Sequence, residues 1–140
     1  MKDTHSSLRI SAELKQLVVI RRFIEETATA FKADPSAILD MLQAVDEAAT
    51  NIIVHGYRGQ PGMIEIEVRR EGDSLVVRLR DQATPFDPTA VPPPDLTLPL
   101  EKRPLGGMGI YLARQLMDEM THRVTSQGGN ELTLVKKTAA

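Results

Sequence analysis

The amino-acid sequence predicts a two-layer α/β sandwich, in which a mixed, mostly antiparallel sheet carries helices on one face. Three observations predict this fold. Two stretches in the first half have the apolar spacing of amphipathic helices, a central stretch alternates with a period of two, and a second alternating pair lies near the C-terminus. The resulting order, β-α-α-β-β-loop-α-β-β, does not suit a doubly wound parallel sheet. The length of 140 residues fits a single domain over residues 1–140.

The N-terminal part is predicted to hold one short strand and two helices. The strand covers Ser6 to Ile10, and Ser11 is placed to cap the helix that follows. Asp34 and Pro35 mark the start of the second helix, because Asp can accept from the free amides of the first turn and Pro suits the first helical position. Gly56 supplies its C-cap. The apolar stripe of this helix consists of Ile38, Met41, Leu42, Val45, Ala48, Ala49, Ile52 and Ile53.

The central part is predicted to form an antiparallel hairpin. Apolar and charged residues alternate from Met63 to Val68, which is the pattern of a half-buried strand. The sequence from Glu71 to Asp73 has turn chemistry, and the alternation resumes from Leu75 until near Asp81. The two stretches therefore pair as neighbours in the sheet.

The segment 82–107 has no regular pattern. It contains seven of the nine prolines, so we expect a long irregular loop that acts either as a linker or as a functional lid. A helix opens at the glycines of 106–109, where a loop becomes apolar-periodic again. A closing hairpin is predicted from strands over 121–126 and 131–136, joined by the turn 127–130.

Composition excludes several classes of function. A net charge of −2 and a pI near 5.9 argue against a general nucleic-acid binder. The absence of cysteine excludes disulfides, thiolate nucleophiles and cysteine-ligated metal centres. His5, His55 and His122 are too scattered in the sequence to predict a metal cluster. No apolar signal segment or P-loop motif is present, and we expect a cytoplasmic protein.

Glu47 and Asn51 lie four residues apart and therefore share one face of the second predicted helix. That face is nearly opposite the apolar stripe. The pair has two interpretations: a solvated polar face, or a carboxylate base beside a neutral oxygen ligand for Mg²⁺, which prefers oxygen ligands and is bound together with substrate phosphates. The pair alone does not decide between them.

Two further features of the sequence also have two interpretations each. Gly107 and Gly109 lie where the irregular loop becomes a helix, so their amides could hold an anion or the glycines could form a plain hinge. Asp81 ends the second strand of the central hairpin. A carboxylate there could accept a hydrogen bond from the exocyclic amine of adenine, or it could simply stop the strand and start a turn.

Taken in chain order, these features form a recognisable set. Asp46–Tyr57 contains Glu-Ala-x-x-Asn followed by His-Gly-Tyr, Asp81 is followed by Phe86-Asp87-Pro88, and Gly107-Met108-Gly109 opens a helix. This set resembles the bacterial anti-sigma-factor serine kinases of the GHKL ATPase superfamily, which have the Bergerat fold. The resemblance covers nearly the whole chain and implies that the loop 82–107 is a lid over ATP.

The resemblance implies a role for each motif. Glu47 would be the general base on a serine hydroxyl, Asn51 would coordinate Mg²⁺, and Asp81 would recognise adenine. Arg103 or Lys102 in the predicted lid could neutralise the γ-phosphate, or each could simply be a solvated loop charge. The residues implied to surround the bound ATP are Asn51, Asp81, Ala83, Phe86, Arg103, Gly106, Gly107, Met108, Gly109 and Asn130.

Three positions depart from the pattern of the family. Ala83 stands where the second residue after the adenine-binding Asp is often Gly, and Leu105 replaces the first glycine of the phosphate-binding loop. Asn130 stands where related ATPases often have Thr. These changes bear on nucleotide affinity more than on the fold.

The resemblance implies an ATP- and Mg²⁺-dependent protein serine kinase that takes part in partner switching. It would bind a sigma factor and phosphorylate an anti-anti-sigma antagonist of the STAS type, as a homodimer and without contacting nucleic acid or membrane. An alternative is a nucleotide-gated partner-binding module without phosphotransfer, since one fold can serve both functions. A structural domain without ligand also stays open, as does the catalytic domain of a histidine kinase, although the first helix contains no acceptor His.

Overall fold

Five strands form one sheet in the part of the chain that the computed structural model describes, which is residues 5–90, 97 and 107–139. The strands are β1 His5–Ser11, β2 Met63–Glu71, β3 Ser74–Asp81, β4 Glu119–Val124 and β5 Asn130–Lys137. The helices are α1 Leu17–Ala30, α2 Pro35–Asn51 and α3 Gly107–Leu116. The predicted element order and the sandwich fold are confirmed.

The sheet has the order β1-β2-β3-β5-β4, so the closing hairpin inserts its second strand next to β3. All four pairings are antiparallel. The sheet is therefore entirely antiparallel, whereas a mixed, mostly antiparallel sheet was predicted. Short hairpin turns account for two of these pairings, β2 with β3 and β4 with β5, because such short connections join antiparallel strands. The order places β3 at the centre of the sheet, and its last residue, Asp81, lies opposite Asn130 of β5.

The hydrophobic core lies between one face of the sheet and the helices. Ile64, Ile66 and Val68 alternate along β2 and are fully buried, as their period of two predicts. The apolar stripe of α2 packs onto the same layer through Met41 and Val45. No helix among the described residues is long and apolar enough to cross a membrane.

The predicted cap at Ser11 is wrong. Its hydroxyl donates to the carboxylate of Glu13 at 2.6 Å, and a 3₁₀ turn over Leu14–Gln16 precedes α1. Neither this turn nor α1 has a side-chain cap. The polar side chain of Ser11 therefore satisfies a local loop contact instead of a helix amide.

Asp34 occupies the predicted position before α2, with Pro35 in the first turn, but its carboxylate does not cap the helix. It accepts instead from the amide of Ala139 at 2.6 Å, while the amide of Asp34 donates to the hydroxyl of Thr138 at 2.6 Å. The residues after β5 thus tie the start of α2 to the sheet. This long-range contact replaces the local one that the sequence predicts.

The outer face of the sheet carries interleaved acidic and basic side chains. Glu131 of β5 is buried between Arg80 of β3 and Arg123 of β4, each with a nitrogen 2.7 Å from a carboxylate oxygen. Burial alone would raise the pKa of Glu131, but the hydrogen bonds and charges of Arg123 and Arg80 outweigh it and hold the pKa below its ordinary value. The ionised form of Glu131 therefore stabilises the fold.

We expect Leu134→Ala to lower the free energy of unfolding by about 2–5 kcal/mol, because Leu134 is 0% exposed and its loss leaves a cavity. The matched control is Leu39→Ala in α2, where the side chain is 66% exposed and the expected change is below about 0.5 kcal/mol. Urea unfolding measures both. Equal losses in the two variants would contradict the assigned core.

Glu131→Gln should lower the free energy of unfolding at pH 7 by about 1–3 kcal/mol, because it removes the charge that Arg80 and Arg123 surround. Since the folded-state pKa is depressed, this stabilisation is present above the unfolded pKa and is lost as the pH falls through the folded pKa. The stabilities of wild type and variant should therefore converge in acid. A difference that stays constant down to low pH would refute this ion-pair account.

Candidate functional site

A cavity of about 710 Å³ opens between the end of α2, the residues after β3, and the inner side of β4 and β5. Its wall combines apolar side chains with polar groups from four separate parts of the chain. The polar side chains in the wall include Asn51, His55, Arg58, Gln60, Asp81, Thr84, His122 and Asn130. This volume and this mixture are typical of a small-molecule site.

The end of α2 departs from regular helix geometry at the cavity. Asn51 is the last α-helical residue, and a π-helical turn over Ile52–Gly56 follows, with the amide of Tyr57 bonded to the carbonyl of Ile52 at 2.9 Å. Gly56 is thus the last residue of this turn and does not cap the α-helix directly. A Cβ at Gly56 would lie 3.2 Å from that of Ala83, so glycine lets the turn approach the loop after β3. Such π turns are frequent at functional sites.

Tyr57 joins this turn to the sheet. Its buried hydroxyl donates to the carbonyl of Met63 at 2.7 Å and accepts from the amide of Gln82 at 2.8 Å. Burial raises the pKa of Tyr57, so the hydroxyl stays protonated and can donate. Because Gln82 directly follows Asp81, Tyr57 fixes the backbone at the end of β3.

Asp81 presents a buried carboxylate in the cavity wall and is only 4% exposed. Its Oδ1 accepts from the amide of Ala83 and from Nδ2 of Asn130, each at 2.9 Å. Neither of these bonds uses Oδ2, so that oxygen can accept from a bound molecule. Burial raises the pKa of Asp81 even though the two hydrogen bonds favour the ionised form.

Asn130 connects Asp81 to the start of the predicted lid. Its Oδ1 accepts from the amide of Phe86 at 2.9 Å, and its Nδ2 also points toward the carbonyl oxygens of Ala83 and Thr84. Asn130 begins β5 and does not lie in a turn as predicted. Phe86 lines the cavity with its half-exposed ring.

Glu47 lies one helical turn before Asn51 and is placed beside the first turn of α3. A Cβ at Gly109 would overlap Oε2 of Glu47, so the absence of a side chain allows the carboxylate to reach the helix backbone. Gly107, Met108 and Gly109 all belong to that first turn, as predicted. Among the described residues the cavity wall includes Asn51 and does not include Glu47.

The structure therefore brings five of the predicted binding residues to one cavity: Asn51, Asp81, Ala83, Phe86 and Asn130. Arg103, Lys102, Leu105 and Gly106 lie outside the described residues. The predicted lid over 82–107 is described only at its two ends and at position 97, and a 3₁₀ turn over Pro88–Ala90 is found there. The described residues hold no cluster of three or more His, Asp or Glu side chains for a metal.

Tyr57 and His122 are among the residues of the site that are not predicted from the sequence. Tyr57 enters only as part of a motif, and the scatter of the histidines along the chain gives no reason to select His122. His122 lies diagonally across the β4–β5 hairpin from Asn130, since its direct partner is Leu132. The hairpin register would have revealed this pair, because residues two apart on one strand share a face.

Comparisons with known proteins show which family the chain is similar to. The family model for the histidine kinase-like ATPase domain matches residues 10–136. The chain is 32% identical over 117 residues to the serine-protein kinase RsbW of Bacillus cereus strain Q1 and 34% identical over 119 residues to that of strain AH187. Each alignment covers 81% of this chain and 73% of the relative.

A solved structure has the same fold. The crystal structure of the RsbU and RsbW domains of Rv1364c from Mycobacterium tuberculosis matches with a TM-score of 0.68 and 18% identity. The match covers 97% of this chain and 32% of that chain, so this chain corresponds to about a third of the longer protein. From the family match and the similarity to the kinases, we conclude that the chain belongs to the histidine kinase-like ATPase family, in the group that includes the RsbW serine-protein kinases.

Proposed function

We propose that this protein is an ATP- and Mg²⁺-dependent protein serine kinase that also acts as an anti-sigma factor. The observation that carries the proposal is the buried carboxylate of Asp81, which shares one cavity with the carboxamide of Asn51. A single ligand that reaches both groups would place a hydrogen-bond donor at Asp81 and a metal-bound anionic group at Asn51. ATP has this combination.

Asp81 would read the base. Its Oδ1 is occupied by two donors, so Oδ2 is the acceptor left for the 6-amino group of adenine. A base with a carbonyl at that position would place two acceptors against each other, which is unfavourable in a buried site. The half-exposed ring of Phe86 could cover the base from the side of the lid.

Asn51 would hold Mg²⁺ through its side-chain oxygen. Mg²⁺ is commonly bound by one or two protein oxygens together with substrate phosphates and water, so a single carboxamide is a sufficient protein contribution. The metal supplies charge neutralisation for the phosphates when it is bound. The amides at the start of α3 would hold phosphate oxygens, because the first turn of a helix presents free donors.

Glu47 would act as general base. Its carboxylate lies at the first turn of α3, one helical turn from Asn51, and so is close to where the terminal phosphate would lie. It would take the hydroxyl proton as the serine oxygen forms its bond to the γ-phosphorus and the bond to ADP breaks. Positioning and charge neutralisation carry most of the catalysis in such transfers.

The relatives named as serine-protein kinases support a protein substrate. We propose a sigma factor as the sequestered partner and an anti-anti-sigma protein of the STAS type as the phosphorylated antagonist, in a cytoplasmic partner-switching system. A homodimer is the proposed oligomeric state. Binding without transfer, the nucleotide-gated alternative, is an outcome of the following test.

Glu47→Gln should reduce phosphate transfer from [γ-³²P]ATP to a serine-containing antagonist by about 10²–10⁴-fold, because it removes the base and keeps the shape of the side chain. ATP affinity should change little. The matched control, Glu71→Gln at an exposed position at the end of β2, should retain transfer. Absence of transfer by the wild type with ATP bound would favour the pure binding module, and loss of ATP binding in Glu47→Gln would contradict the role given to Glu47.

Asp81→Asn should weaken ATP binding by about 10–100-fold. It should also narrow or reverse the preference for ATP over ITP, because the new carboxamide can turn an NH₂ toward the base. Calorimetric titration with both nucleotides measures this. The variant should remain folded at neutral pH, because the raised pKa of Asp81 means that its ionised form costs stability there, and this cost disappears as the pH falls. Asp73→Asn in the exposed β2–β3 turn is the control, and equal behaviour of the two variants would refute base recognition by Asp81.

A further inference from the structure

The carboxamide of Asn130 has only one orientation that satisfies its neighbours. Three acceptors face Nδ2, namely Oδ1 of Asp81 and the carbonyl oxygens of Ala83 and Thr84. Oδ1 faces the amide of Phe86, which can only donate. A flipped carboxamide would set its oxygen against three acceptors in a buried place, at a cost of several hydrogen bonds.

This orientation determines the protonation of one nitrogen of His122. Nε2 of His122 lies 2.7 Å from Oδ1 of Asn130, and that oxygen is an acceptor. Nε2 must therefore carry a proton and donate it. The side chain of His122 is only 6% exposed and lies in the cavity wall, so this hydrogen bond is shielded from water.

The other ring nitrogen of His122 faces the start of the predicted lid. Nδ1 lies 3.9 Å from Oδ1 of Asp87, beyond hydrogen-bond distance, and that oxygen accepts from the amide and the hydroxyl of Thr89 at 2.8 and 2.5 Å. Asn130 reaches the same segment through the amide of Phe86. The imidazole of His122 thus binds Asn130, which orients Asp81, and lies near Asp87 in the segment that follows β3.

We propose that His122 and Asn130 are positioning residues that set the base selectivity of the nucleotide site. This inference rests on the proposed function. His122 is a second donor to Oδ1 of Asn130, besides the amide of Phe86, and so strengthens the orientation in which Nδ2 occupies Oδ1 of Asp81. Oδ2 of Asp81 is then left as an acceptor for a 6-amino purine, and the amide of Phe86 is held at a fixed distance from the base.

The selectivity of the site among bases and its affinity for the phosphates depend on different residues. If the carboxamide of Asn130 rotates, its oxygen comes to lie against Oδ1 of Asp81 and its NH₂ turns toward the cavity. A purine nucleotide without the 6-amino group then loses no hydrogen bond. ATP loses the hydrogen bond from its 6-amino group to Oδ2 of Asp81. His122 and Asn130 should therefore change the preference among bases more than the binding of phosphate.

The test compares the dissociation constants of Mg²⁺-ATP, ITP and purine riboside triphosphate in three versions of the full chain. His122→Leu removes the donor, whereas His122→Gln keeps an N–H donor on a side chain of similar reach. We expect His122→Leu to lower the preference for ATP over purine riboside triphosphate by about tenfold, the worth of one hydrogen bond to a charged group. His122→Gln should restore most of that preference.

An unchanged preference in His122→Leu, or an equal loss of affinity for all three nucleotides, would overturn the inference and leave the proposed function intact. Absence of binding of any nucleotide to the wild type would overturn the proposed function and this inference with it.

A second measurement needs no variant. Nitrogen-15 NMR of the wild-type imidazole should show a proton on Nε2 of His122 in the nucleotide-free protein. A neutral ring protonated only on Nδ1 would contradict the proposed hydrogen bond to Asn130.

Discussion

The buried carboxylate of Asp81 is the interaction on which the account of this protein depends. An ionised group with so little exposure is costly unless donors surround it, and here the amide of Ala83 and the carboxamide of Asn130 supply two. Burial nevertheless raises the pKa of Asp81, because the two hydrogen bonds do not offset the loss of solvation. A buried carboxylate with a shifted pKa in the wall of a large cavity is typical of a functional site.

The fold holds this carboxylate in place from several directions. Asp81 ends the central strand, Tyr57 binds the next amide, and a Cβ at Gly129 would overlap the carbonyl of Asp81, so the closing hairpin can approach only with glycine at that position. The same packing that stabilises the sheet therefore determines where the carboxylate lies. Glu47 is positioned in an analogous way, because Gly109 lets α3 approach α2.

Much of the fold could be predicted from periodicity, since the alternation in β2 and β3 and the stripe of α2 are local properties of the sequence. The roles of Ser11 and Asp34 could not, because their side chains bind groups that only the folded chain brings near, such as the amide of Ala139. In the site, too, local motifs could be predicted and long-range contacts could not. Motifs identified Asp81 and Asn51. The contact between His122 and Asn130 depends on the register of the closing hairpin, whose turn was predicted over 127–130, whereas the strands end at Val124 and resume at Asn130.

The most direct test of the central claim is an NMR titration of the ¹⁵N-labelled protein with Mg²⁺ and a non-hydrolysable ATP analogue. We expect the largest chemical-shift changes on the amide of Ala83, on the side-chain amides of Asn51 and Asn130, and on the first turn of α3, all with one dissociation constant. Changes confined to other surfaces, or separate affinities for the two ends of the cavity, would contradict the convergence of these groups on one nucleotide.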